Sequence, residues 1–143
     1  MRRPYLKVYI HFVWATWDRL PILTSDMRER VFQAILAKVD ALGCSVEAIG
    51  GVDDHMHMVV KMASTVTIAD LVKNAKGSTS HLTTHAIAPG EFFKWQGSYG
   101  AISVSPGDLA RIVQYVKGQE AHHAGSELME WYEKCDVIVD PKT

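Results

Sequence analysis

Cysteine is scarce in this chain: Cys44 and Cys135 are the only two in 143 residues, and they lie far apart. That spacing excludes a zinc ribbon and a secreted disulfide framework and leaves buried or idle thiols as the plain reading. Long apolar runs are also missing. No stretch approaches the roughly 18 apolar residues that a spanning helix needs, and MRRPYLKVYIHF leads into alternation rather than a continuous signal segment. A soluble, cytoplasmic protein without membrane contact is expected. Charge of one sign is not in excess either. Fifteen Lys and Arg stand against sixteen Asp and Glu, a formal net charge of −1, so any surface for a polyanion has to be local. A phosphate-cradling G-x-x-x-x-G-K loop is absent, as are repeats, low-complexity tracts and linkers. What is present is a chain 48% hydrophobic, long enough for one real core and too short for two, so 1–143 is read as a single domain.

The patterning gives an order of elements. From Leu6 to Trp14 the even positions Leu6, Val8, Ile10, Phe12 and Trp14 are apolar while Lys7, Tyr9 and His11 interleave, as in a strand with one buried face. After Pro21, Thr24 or Ser25 can cap a helix whose stripe is Met27, Val31, Ile35, Val39 and Leu42, with Gly43 at its end. Ser45 to Gly51 is a second strand, and the short connection after it suggests a hairpin with the third. Thr67 and Asp70 open a second helix carrying Ile68, Leu71, Val72, Ala75, Thr79 and Leu82. A fourth strand runs near Tyr99 to Val104, and Ser105, Pro106 and Asp108 lead into a third helix. The order β-α-β-β-α-β plus a further helix resembles the ferredoxin-like α+β arrangement, an antiparallel sheet with its first two helices on one face.

The third strand contains the unusual stretch VDDHMHMVV, Val52 to Val60. On a strand Met56, Met58 and Val60 share one face and His55 and His57 the other, with the two imidazole stems about 7 Å apart, close enough to lean towards one cation. Without context such a pair is more often two partly exposed histidines than a metal site. In the third helix Leu109, Ile112, Val113 and Val116 form the packing stripe, and Tyr115, Gln119 and His122 fall along its flank, bordering the core. Tyr115 and Gln119, four residues apart, face the same spot. Gly118 within this helix costs about 1 kcal/mol relative to Ala, which close approach of another group or a need for flexibility would explain.

A strand with His55-Met56-His57 followed by a helix with Tyr115-x-x-x-Gln119 resembles the HUH endonucleases, specifically the single-tyrosine, TnpA-like transposases of bacterial insertion sequences and their REP-associated relatives. The resemblance runs nearly the full length: HFVWATWDRLPIL (His11, Trp14, Thr16, Arg19, Pro21, Leu23), FKWQGSYGAISVS and YVKGQEAHH all resemble the family's segments in the right order. It implies Tyr115 as nucleophile, attacking a DNA phosphate to leave a 5′-phosphotyrosine and a free 3′-OH, with a later 3′-OH resealing the strand. The bottom-up chemistry agrees: His55, His57 and the Gln119 oxygen make an incomplete ligand set with positions left for phosphate and water. Mixed N and O ligands do not identify the metal, and the resemblance implies Mg2+ or Mn2+. It also implies single-stranded or hairpin DNA as partner and a homodimer in which one chain's tyrosine can dock against the other's histidines. Lys73 and Lys76 on the second helix are phosphate contacts or a solvated face. His11 can approach the site across the sheet or serve as a hydrogen-bonded structural residue. His122 and His123 can assist metal or DNA, or complement a helix end. The expected function is therefore a metal-assisted DNA transposase. A domesticated hairpin nuclease or a non-catalytic nucleic-acid-binding protein on the same fold is the alternative.

Overall fold

Strands β1 (Tyr9–Ala15), β2 (Ser45–Gly51), β3 (His55–Lys61) and β4 (Gly100–Val104) pair into one antiparallel sheet in the spatial order β2-β3-β1-β4. This is a computed structural model, and it describes residues 1–87, 89–119 and 130–137. Helices α1 (Ser25–Ala41) and α2 (Ile68–Leu82) cover one face, α3 (Leu109–Lys117) and the short α4 (Glu130–Glu133) the other. The class is α+β, in the expected ferredoxin-like order.

Each layer follows from residue alternation. Ile10, Phe12 and Trp14 of β1 and Met56, Met58 and Val60 of β3 point to the α1/α2 side, where they meet Val31, Ile35 and Val39 of α1 and Leu71, Val72 and Ala75 of α2. Fully burying such a side chain contributes about 1.5–3 kcal/mol, so this face holds β3 in place whatever its other face carries. Thr67 starts α2 by accepting a hydrogen bond from the Asp70 backbone N–H at 3.1 Å. Thr24 is the N-cap of α1, without a side-chain cap bond.

Three expectations need correction. β1 has two buried faces, not one, because Tyr9, His11, Val13 and Ala15 lie beneath α3 and the 130–137 segment. For the same reason Tyr115 and Gln119 are buried rather than bordering the core, and Gly118 is the C-cap of α3 rather than a mid-helix residue.

One row of the sheet explains how the second layer gets so close. Gly50 of β2 pairs with His57 of β3, His57 with Val13 of β1, and Val13 with Gly100 of β4. Directly opposed residues share a face. A Cβ on Gly50 would overlap the Val116 carbonyl oxygen, and one on Gly100 would overlap the Lys134 carbonyl oxygen. The two glycines therefore let α3 and the 130–137 segment settle on either side of His57.

Candidate active site

His55 and His57 project from β3 into the space under α3 and α4, His57 with no solvent exposure. Burying two imidazoles is costly unless their nitrogens are partnered. Here they are. Glu133 of α4 reaches both, with Oε2 at 2.7 Å from His57 Nε2 and Oε1 at 3.3 Å from His55 Nε2. Each residue of this trio offers a ligand atom within 4.8 Å of the others, so two imidazoles and one carboxylate converge as a divalent cation requires.

The outward nitrogens are held too. His55 Nδ1 lies 2.7 Å from Asp54 Oδ1 and 3.5 Å from Arg19 Nη1. His57 Nδ1 lies 2.9 Å from His11 Nε2. Burial alone would lower the His55 pKa, but hydrogen bonds to Glu133 and Asp54, and their charge, outweigh it and raise it above the ordinary histidine value. Glu133 mirrors this: burial would raise its carboxyl, yet hydrogen bonds from His55 and His57 hold it far below the usual carboxylate range. His11 goes the other way. Burial, reinforced by neighbouring His57 and only partly offset by Glu133, pushes it down to about 3.

Tyr115 reaches the same place from above. Its ring stands 6.0 Å from that of His57 at 80°, and 5.1 Å from that of Tyr132. Gln119, one turn on, is buried and donates its Nε2 to the Tyr115 carbonyl at 3.0 Å. Tyr115 thus stands beside His57 of its own chain, while Gln119 lies just past the end of α3.

Beside it opens a cleft of about 690 Å³ lined by Thr16, Asp18, Arg19, Gln96, Glu133 and Lys134, among others. Asp18 and Arg19 both have left-handed backbone, at φ 53° and 55°, uncommon for residues with a Cβ. The turn is pinned: Thr16 Oγ1 donates to the Leu20 carbonyl at 2.7 Å, and Asp18 N–H to Gln96 Oε1 at 3.0 Å. The strained turn aims the Arg19 guanidinium at His55.

The two lysines separate. Lys73 is exposed on α2. Lys76 turns inward instead, donating to the Gln96 and Ser98 carbonyls at 2.7 Å each, and burial lowers its pKa to about 8. Both sit on the helix layer across the sheet from the histidines. His122 and His123 lie outside the described residues. Cys44 and Cys135 are buried free thiols, as expected.

Glu133, Asp54 and Arg19 were not among the predicted site residues. Asp54 is adjacent to His55 and was within reach of a reading that asked what orients each imidazole. Glu133 was not, since it is 78 residues away from His55 and joins the site only when α4 folds back over the sheet.

Comparison with known proteins bears on the whole arrangement. The family model for IS200-like transposases, Y1_Tnp, matches residues 5–119, ending on Gln119 and short of Glu133. A candidate transposase from Deinococcus radiodurans R1 is 23% identical, with a TM-score of 0.66 over 83% of this chain and 96% of its own. The REP-associated tyrosine transposase, solved bound to a REP hairpin, is 19% identical, with a TM-score of 0.64 over 86% of this chain and 73% of its own. At these identities the likeness to solved structures is one of fold. No curated protein matches the chain. A matched region that runs from before β1, through the histidine strand, to the end of α3 places this chain in the family of IS200-like transposases.

Proposed function

We propose that this protein cuts and rejoins single-stranded DNA at hairpin ends by transesterification through Tyr115. The supporting observation is the meeting of a tyrosine ring, 6.0 Å from His57, with a buried His55, His57 and Glu133 trio whose ligand atoms lie within 4.8 Å of one another. His55, His57 and Glu133, with Gln119 as a further oxygen donor, would hold Mg2+ or Mn2+, whose chemistry is to draw charge off the scissile phosphate.

The chain's own residues do the rest. The phenolic oxygen of Tyr115 forms a bond to phosphorus as the bond to the 3′ oxygen breaks, giving a 5′-phosphotyrosine. The phenolic proton passes through solvent to the leaving 3′ oxygen. A later 3′-OH reverses both bonds, returning a proton to the tyrosine and conserving the phosphodiester. Arg19, lining the cleft, would pair with a phosphate oxygen. Trp17 is 41% exposed with Lys94 Nζ 4.0 Å from its ring centroid, which offers a face for an unpaired base beside a positive charge. Lys73 is offered to the hairpin backbone, whereas Lys76 is already committed to two carbonyls.

The reading includes a homodimer, on the strength of the family resemblance. Each chain would keep its own tyrosine, because α3 rests on its own sheet at Gly50.

The test is an end-labelled hairpin incubated with protein and Mn2+. Wild type should form a covalent adduct mapping to Tyr115, and Tyr115→Phe should bind the hairpin but form none, since only the phenolic oxygen is removed. An adduct that persists in Tyr115→Phe, or that maps to Tyr132 or Tyr99, would overturn the assignment.

A further inference from the structure

His11 sits at zero exposure in the middle of β1, a place where packing alone would favour Leu or Phe. Among the described residues its Nδ1 has no hydrogen-bond partner, so its polar engagement is a single contact, Nε2 to His57 Nδ1 at 2.9 Å. Keeping an imidazole there with one hydrogen bond is a net cost to folding. Some other gain should accompany it.

The two site histidines suggest what the gain is. Both turn Nε2 towards Glu133, and both have the other ring nitrogen against a neighbour: Asp54 for His55, His11 for His57. A histidine that ligates a metal through one nitrogen commonly donates N–H from the other to an acceptor, which fixes both tautomer and ring orientation. Asp54 is the usual kind of acceptor. At His57 the same position is filled by an imidazole.

That imidazole is well placed for the task. The His11 and His57 rings stack at 5.1 Å with 23° between their planes. Tyr132 at 5.3 Å and Tyr115 at 6.5 Å stand edge-on to His11 and limit its rotation. A neutral imidazole can accept at Nε2, whereas an imidazolium cannot. His11 Nε2 lies 2.9 Å from His57 Nδ1, where its lone pair can meet an N–H on that nitrogen.

We propose that His11 is a positioning residue for the metal centre: through its hydrogen bond it holds His57 with Nδ1 protonated and Nε2 turned towards Glu133, where the cation would sit. The inference rests on the metal reading above and deepens it. His11 touches no substrate. Its effect passes entirely through the orientation of His57.

The experiment compares wild type, His11→Gln, His11→Phe and His55→Ala/His57→Ala by Mn2+ titration calorimetry, with folding checked by thermal melts. Glutamine can set an oxygen near the original Nε2, so His11→Gln should bind Mn2+ close to wild type. His11→Phe, matched in shape and lacking an acceptor, should bind about 10- to 100-fold more weakly. Equal binding by folded His11→Phe, or an equal loss in folded His11→Gln and His11→Phe, would overturn the role while leaving the metal reading intact. If wild type binds no better than the double histidine variant, the metal reading fails and this inference falls with it. Should His11→Phe not fold, the His57 ring signals of ¹⁵N-histidine-labelled wild type loaded with Mg2+ decide: protonation at Nδ1 supports the proposal, and protonation at Nε2 overturns it.

Discussion

His55 carries opposite consequences for proton and metal. Its folded pKa is raised above the ordinary histidine value, so the ring keeps its proton at pH values where a free histidine would have lost it. A metal takes the neutral ring, so cation and proton compete. Mn2+ binding should therefore be weak on the acid side, strengthen as pH rises through the His55 pKa, and release protons. Calorimetry in buffers of different ionisation enthalpy, across about pH 6 to 8 where histidine titrates, would read this directly. Binding that neither changes with pH nor releases protons would sink the idea. Glu133→Gln gives a second arm. It removes a charge that raises His55, so the pH at which binding improves should move to the acid side even as affinity falls for want of the carboxylate. A variant with wild-type affinity and an unmoved pH profile would take Glu133 out of the site.

β3 is divided by parity between core packing and the proposed metal site, and the division can be measured. Met58 lies fully buried against α1 and α2, so Met58→Ala should lower the unfolding free energy by about 2–5 kcal/mol while leaving Mn2+ affinity near wild type. His57→Ala should abolish Mn2+ binding whatever it costs the fold. Urea denaturation beside metal titration checks both, and a Met58→Ala protein that holds its stability but loses metal would refute the division. This parity was legible in the sequence, because alternation on a strand is a local property of neighbouring residues. So were the strand and helix order and the Thr67 cap. The second face of β1 was not. Tyr9, His11 and Val13 read as an outward row because nothing near them says that a helix from a hundred residues on will cover them. Gly50 and Gly100 carried no visible meaning for the same reason: the carbonyls they admit belong to Val116 and Lys134. Glu133 was hidden by the same separation in sequence.

For the whole molecule, Tyr115 stands beside His57 of its own chain, and the proposal of a tyrosine kept in cis can be set against one docked on a partner's histidines. His55→Ala/His57→Ala protein and Tyr115→Phe protein, brought together as a verified heterodimer, should stay inactive, since each chain would keep its own defect; recovery of adduct at about half the sites, one composite site per dimer, would instead establish exchange of α3 between chains. Light scattering on wild type tests the dimer itself, and a monomer that forms adduct would remove the partner from the reading. The near-neutral net charge also sets an expectation, because few phosphates can be neutralised at once: hairpin affinity should fall with salt on a shallow slope. Lastly, the row Gly50-His57-Val13-Gly100 makes the proposed chemistry mechanically divisible. One methyl group on Gly50 would lift the tyrosine away from an intact cation trio, and one on Gly100 would lift the carboxylate away from an intact tyrosine and histidine pair. A lineage of such proteins could therefore pass from cutting DNA to merely holding it in a single mutational step, with every chemically active side chain still in its sequence, so that the motif alone would give no sign that the activity had gone.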